Sequence, residues 1–130
     1  MYFYIVIERG MAYNGIRISM SKKHWEGVTE KMKLAVIFGG ISSEHDISCL
    51  SAASILRNLD KSKYEIHAVG ITREGRWYYL PECDADAIES GAWESRNDLV
   101  PALLPPDRSI HGLVLLREGE TEFVRLDCVF

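Results

Sequence analysis

The sequence predicts an α/β fold organised on a parallel sheet, and three stretches carry that prediction. Residues 34–38, Leu-Ala-Val-Ile-Phe, form an unbroken apolar run without outward polar positions, as expected of a central strand buried on both faces. Gly39-Gly40 break the run, and Ser42, Ser43, Glu44 and Asp46 follow with the chemistry of a helix start. Residues 64–71 then supply a second strand, with Ile66, Ala68 and Gly70 alternating against His67, Val69 and Ile71. Strand, helix and strand within about forty residues make a βαβ unit, whose crossover is right-handed and whose strands are parallel.

The helix is rich in small residues. Cys49, Ala52, Ala53, Leu56 and Leu59 share one stripe, thin enough at its N-terminal half to lie close against a sheet, and Asn58, Asp60 and Lys61 end it. After the second strand, residues 72–76 are a polar turn with Gly75 available for a positive φ, and Trp77-Tyr78-Tyr79 return as a hairpin strand that Pro81 stops. Asp84 caps a short helix through Glu89, and Trp93 anchors the loop after Gly91 as core cover rather than as a ligand platform. Residues 100–106 are extended, with prolines that bar a central strand. Residues 113–116 and 122–125, joined across Glu118-Gly119-Glu120, read as a second hairpin, and residues 127–130 as a further buried parallel strand.

In open sheets of this kind ligands bind beyond the carboxyl ends of the strands, which directs attention to the loop from Gly39 to Ser48. A glycine loop opening a helix suits phosphate. Here, however, Glu44 and Asp46 stand at its mouth, no Lys or Arg occurs between Gly39 and Leu56, and the motif is neither GxGxxG nor a P-loop with its lysine. A carboxylate at a helix N-terminus stays ionised and is better suited to an ammonium group. Equally, both acids could simply be good first-turn residues, and the residues alone leave these alternatives open.

At this loop the chain resembles the N-terminal signature of the D-alanine–D-alanine ligases, ATP-grasp enzymes in which an apolar strand leads into Gly-Gly-x-Ser-x-Glu-x-x-(Val/Ile)-Ser. The matching positions are Gly39, Gly40, Ser42, Glu44, Ile47 and Ser48. The likeness continues through Ser51-Ala52-Ala53, Gly70-Ile71-Thr72 and Gly75-Arg76-Trp77 to Leu126-Asp127-Cys128-Val129-Phe130, covering residues 32–130. Pro105-Pro106-Asp107-Arg108-Ser109 with His111-Gly112 looks more like the long-insert branch that includes D-alanine–D-lactate and D-alanine–D-serine ligases.

The resemblance implies a Rossmann-like, pre-ATP-grasp domain over residues 32–130, with a parallel sheet, a βαβ unit and inserted hairpins, incomplete at its C-terminal end. Residues 1–31 match nothing in the family pattern and are expected to be a disordered extension or the product of a misplaced start, since Met32 stands where such ligases begin. It further implies an ATP-dependent ligation, in which the carboxylate of a first D-alanine is phosphorylated and then attacked by the amino group of a second D-amino acid, for peptidoglycan and hence cell-wall and cell-shape maintenance. Glu44 would hold the ammonium group of the first D-alanine, Ile47 would lie against its methyl group, Ser48 would support them, and Gly39, Gly40 and Ser42 would form the loop. No catalytic residue is expected in this stretch. ATP and Mg²⁺ belong to later domains of such enzymes, so the chain is expected to bind neither and to be inactive alone. D-alanine is the implied partner, with a homodimer in the full-length family and a cytoplasmic location.

Composition agrees with an ordinary globular domain. At 130 residues and 47% hydrophobic the chain can bury one core of modest size. A net charge of −4 and a pI near 5.5 give no reason to expect nucleic acid or an anionic membrane as partner, no apolar run is long enough to span a membrane, and the opening residues lack the features of a secretory signal. Cys49, Cys83 and Cys128 are odd in number and show no CxxC pair, which favours reduced thiols over disulfides or zinc. His24, His45, His67 and His111 lack metal-ligand spacing. His45 reads as a solvent-facing first-turn residue. Ser48 and Ser51 lack a general base in any recognisable arrangement and read as capping or packing residues. Two other functional classes share these features: a non-catalytic small-molecule binding module, and a nucleotide-binding enzyme of unrelated chemistry, which the acidic loop disfavours.

Overall fold

The structure is a computed structural model and describes residues 3–4, 30–107 and 109–130. Among the described residues eight strands form one hydrogen-bonded series in the order β1-β8-β2-β3-β4-β5-β6-β7. The centre is β2 (Met32–Gly39), which runs parallel to β3 (Tyr64–Ile71), with Leu34 opposite Ile66 and Val36 opposite Ala68. Between them runs α1 (His45–Asn58), completing the expected βαβ unit. On the other side of β2 lies β8 (Cys128–Val129), also parallel, and beyond it the two-residue β1 (Phe3–Tyr4). The expectation for residues 1–31 as a whole falls mostly outside the described residues, but Phe3 and Tyr4 pair with Cys128 and Val129 at the sheet edge.

The remaining strands are antiparallel. β4 (Trp77–Leu80) returns along β3 from the turn at residues 72–76, where Thr72 N–H donates to the Arg76 carbonyl at 2.9 Å. α2 (Ala85–Ser90) is capped by Asp84, whose carboxylate accepts from the amides of Asp86 and Ala87, and a 3₁₀ turn (Ala92–Ser95) buries Trp93 completely. β6 (Gly112–Arg117) and β7 (Glu120–Arg125) form the second hairpin, across Glu118 and Gly119 alone.

One expectation is corrected. β5 (Val100–Leu103) lies inside the sheet despite Pro101, between β4 and β6. It does so by changing partner along its length: Val100 and Pro101 face β4, whereas Ala102 and Leu103 face β6, so the ladder to β6 begins only after the proline.

Alternation along the strands divides the core in two. Leu34, Val36, Phe38 and Ala68 pack under α1, α2 and Trp93. Ala35 and Val69, on the opposite face, pack with Val100, Ala102, Leu113, Leu115 and Leu126, so the β5–β6–β7 leaf covers that side. Helices, central sheet and leaf are therefore stacked, and the carboxyl ends of β2 and β3 open between the first two layers.

Candidate functional site at the carboxyl ends of the central strands

The loop leaving β2 is fixed by its backbone. Gly39 has φ 88°, and a Cβ there would collide with the carbonyl of Ile71 at the end of β3, so the strand-to-loop passage needs glycine on both counts. Gly40 N–H donates to that same Ile71 carbonyl at 2.8 Å, and Gly39 N–H donates to Ser48 Oγ at 3.0 Å. Ser48 thus ties the first turn of α1 back to the end of β2. Ser42 serves the approach to the helix rather than its cap: its Oγ accepts from Glu44 N–H at 3.2 Å and its carbonyl accepts from His45 N–H at 3.2 Å. The N-cap position falls to Glu44, whose side chain makes no capping bond. The structure therefore shifts the cap by one or two residues from the serines.

Glu44 and Ile47 both face solvent, with Ile47 57% exposed and the Glu44 carboxylate in no hydrogen bond or ion pair among the described residues. Ile41, at the tip of the loop, is 74% exposed and lies over Gly75 of the β3–β4 turn. The predicted residues are thus brought together: Gly39, Gly40, Ser42 and Ser48 form the frame, and Glu44 and Ile47 stand on its open side.

Two contributors come from far along the chain. Arg73, on the β3–β4 turn, reaches Asp46 at 2.5 Å, so the loop does meet a cation, but one already paired with a carboxylate. His45, expected at the surface, is 2% exposed. Its Nδ1 lies 2.9 Å from the Gly40 carbonyl and its Nε2 lies 3.0 Å from Glu94 Oε1, while its ring stacks on Trp93 at 6.5 Å between centroids. Trp93 in turn meets Phe38 edge-on at 5.2 Å. No local signal marks His45 as buried, because its partners Trp93 and Glu94 belong to the 3₁₀ turn.

Burial pushes the thiols of Cys49, Cys83 and Cys128 up, opposed at Cys49 by the neighbouring Trp93 indole, and a raised thiol pKa disfavours the reactive thiolate. Among the described residues no group of three or more His, Cys, Asp or Glu could hold a metal ion, and no helix is long and apolar enough to cross a membrane. A cleft of about 400 Å³ lies at the other end of α1, lined by Leu56, Arg57, Lys61, Ile66 and Cys83 among others, and none of the predicted site residues borders it.

Comparisons with known proteins agree with this geometry. The family model described as the D-ala D-ala ligase N-terminus matches residues 33–130. A D-alanine–D-alanine ligase of Thermoanaerobacter sp. (strain X514) is 46% identical over 101 residues, covering 78% of this chain and 27% of the relative. The vancomycin B-type resistance protein VanB of Enterococcus faecalis is 42% identical over 100 residues, covering 77% of this chain and 27% of the relative. Among solved structures, the VanG D-Ala:D-Ser ligase of Enterococcus faecalis superposes with a TM-score of 0.69 at 31% identity, over 78% of this chain and 28% of that one. The chain thus spans little more than a quarter of the length of the relatives it matches. With the signature loop, the βαβ unit and both hairpins all in place, the chain belongs to the D-alanine–D-alanine ligase family and corresponds to its N-terminal domain.

Proposed function

We propose that this domain binds the first D-alanine of an ATP-dependent D-alanine–D-alanine, or related D-alanine–D-X, ligase of peptidoglycan synthesis. The observation that carries the reading is the state of Glu44. Its neighbours along the loop are occupied internally: Gly39 N–H by Ser48, Gly40 N–H by Ile71, the Gly40 carbonyl by His45, and Asp46 by Arg73. Among the described residues Glu44 is the carboxylate at the mouth left uncommitted, and an ammonium group is its natural counterpart. Ile47 supplies an apolar surface beside it for a methyl group, and Ser48 holds the frame that aims both.

The described residues offer no site that fits Mg²⁺ or ATP. No group of three or more His, Cys, Asp or Glu among the described residues could hold a metal ion, and Arg73, which reaches the loop, is joined to Asp46. The reading assigns nucleotide binding, phosphoryl transfer and choice of the second substrate to parts of the relatives beyond the matched quarter, and the homodimer and cytoplasmic setting to the whole enzyme.

The test joins the chain, after Phe130, to the later domains of the Thermoanaerobacter relative and introduces Glu44→Gln. Loss of a charge-assisted hydrogen bond to substrate, about 1.5–3 kcal/mol, should lower kcat/KM for D-alanine by roughly tenfold to more than a hundredfold. The melting temperature should barely move, because an exposed first-turn carboxylate contributes only about 0.3–1 kcal/mol through the helix dipole. Unchanged kinetics with a marked loss of stability would return Glu44 to a purely structural role.

A further inference from the structure

His45 is enclosed in a way its place in the sequence does not explain. A first-turn residue flanked by two exposed acids, it is 2% exposed and engaged at both ring nitrogens. Its ring lies between the loop and the 3₁₀ turn: a Cβ on Gly39 would stand 3.2 Å from its Cε1, and the ring stacks on Trp93 at 6.5 Å between centroids with 15° between the planes. Its two partners, the Gly40 carbonyl and the Glu94 carboxyl group, hold the ring at opposite nitrogens. Glu94 is 29% exposed at its side chain and is the route by which this buried polar chain meets water.

The consequence is directional. Gly40 is unrestrained by any side chain of its own, and its peptide is held from two sides, by Ile71 at the N–H and by His45 at the carbonyl. Five residues later the chain enters α1 at His45 itself, so one imidazole grips the loop at its beginning and is covalently part of its end. Residues 41–44, Glu44 included, are the span between those two fixed points. A carboxylate that must receive an ammonium group is useful only if that span holds still, since small misplacements of a binding group forfeit much of its effect.

We propose that His45, oriented by Glu94, is a positioning residue that fixes the Gly40–Glu44 loop and so aims the Glu44 carboxylate at its ligand. The inference rests on the reading of Glu44 as the ammonium-binding residue. It predicts that the pair acts through the loop and not through the stability of the core. Glu94→Ala leaves the buried ring without its outer acceptor at a half-open position, His45→Leu removes both bonds while filling the site, and His45→Asn retains a donor toward the Gly40 carbonyl alone.

Two measurements decide it. Amide hydrogen exchange of the chain itself should show the Gly40–Glu44 amides exchanging at least fivefold faster in Glu94→Ala and His45→Leu, with His45→Asn intermediate and the β2 and β3 amides unchanged. In the fused ligase the same variants should raise KM for D-alanine at least fivefold with a smaller change in kcat. Loop exchange that stays at the wild-type rate overturns the proposal, as does a loosened loop with unaltered KM. Exchange that quickens equally in β2 and β3 also overturns it, by making His45 an ordinary core residue. The two readings fail separately: Glu44→Gln without kinetic effect sinks the ammonium site, whereas an impaired Glu44→Gln beside unimpaired His45 and Glu94 variants sinks only the positioning role.

Discussion

Trp93 and Leu115 occupy opposite sides of one sheet, and both are almost fully buried, yet they are held there by different kinds of fit. On the helical side the packing depends on particular shapes. Trp93 meets Phe38 edge-on, stacks on His45, and lies so close to β3 that a Cβ at Gly70 would enter its ring. On the leaf side Leu113 and Leu115 pack with Ala35, Val69, Val100 and Ala102, a buried set that is wholly aliphatic, with Trp77 and Tyr79 only partly buried against it. The layer that supports the candidate site is thus specified residue by residue, whereas the layer behind it is specified mainly by pattern and volume.

The contrast should appear first in Trp93→Ala, which removes a wholly enclosed indole and is expected to cost about 3–5 kcal/mol in chemical denaturation. A loss under about 2 kcal/mol would mean that the helical layer closes over the gap, and the distinction between the layers would weaken. Gly70→Ala adds one methyl group against the same ring and should cost about 1–3 kcal/mol, visible as a lowered denaturation midpoint with an unchanged slope. Leu115→Met, a change of shape at nearly constant volume in the leaf, should cost less than about 1.5 kcal/mol. Equal losses for Gly70→Ala and Leu115→Met would show that both layers are equally exacting.

The leaf side has one polar exception, and it sets the smallest effect. His67 is buried beside Tyr79, with Nδ1 3.3 Å from the phenolic oxygen, and its Nε2 has no hydrogen-bond partner although Glu65 Oε1 lies 3.2 Å away. Burial pushes the His67 imidazole below its ordinary value, against the opposing pull of Glu65. The unfolded chain therefore takes up this proton at higher pH than the folded chain. The stabilising contribution is complete above the ordinary imidazole value of about 6.5 and is lost as pH falls through it toward the folded value. Melting temperatures measured from neutral to mildly acidic pH should fall less in His67→Gln than in the parent; parallel curves would show that His67 does not titrate differently on folding.

Much of this arrangement is legible from residue order. The apolar run of β2, the glycines, the small-residue stripe of α1, the Asp84 cap and both hairpins are local, and local chemistry announces them. The frame of the site is legible for the same reason, since Gly39 to Ser48 is one continuous segment. What the sequence conceals is set by tertiary contact. His45 carries no mark of burial until the turn bearing Trp93 and Glu94 is folded over it, and Arg73 gives no sign of meeting Asp46 until β3 and β4 have turned back. Pro101 misleads because a proline argues against an inner strand in general, while β5 escapes the rule by serving β4 and β6 with different halves.

The pairing of β8 with β2 bears on how the chain reaches this state. Asp127 N–H donates to the Lys33 carbonyl at 2.8 Å and Lys33 N–H donates to the Asp127 carboxylate at 2.9 Å, a join between residues 94 apart in sequence. Both hairpins close over a few residues and can form early, but this contact must wait until most of the intervening chain is ordered, because loop closure costs more the longer the loop. During synthesis, β3 can fill one edge of β2 early, but the other edge waits for Cys128 and Val129 to leave the ribosome. Until then the central strand is an exposed template for wrong pairing, and the speed with which Cys128 and Val129 dock decides how much of the chain escapes that hazard.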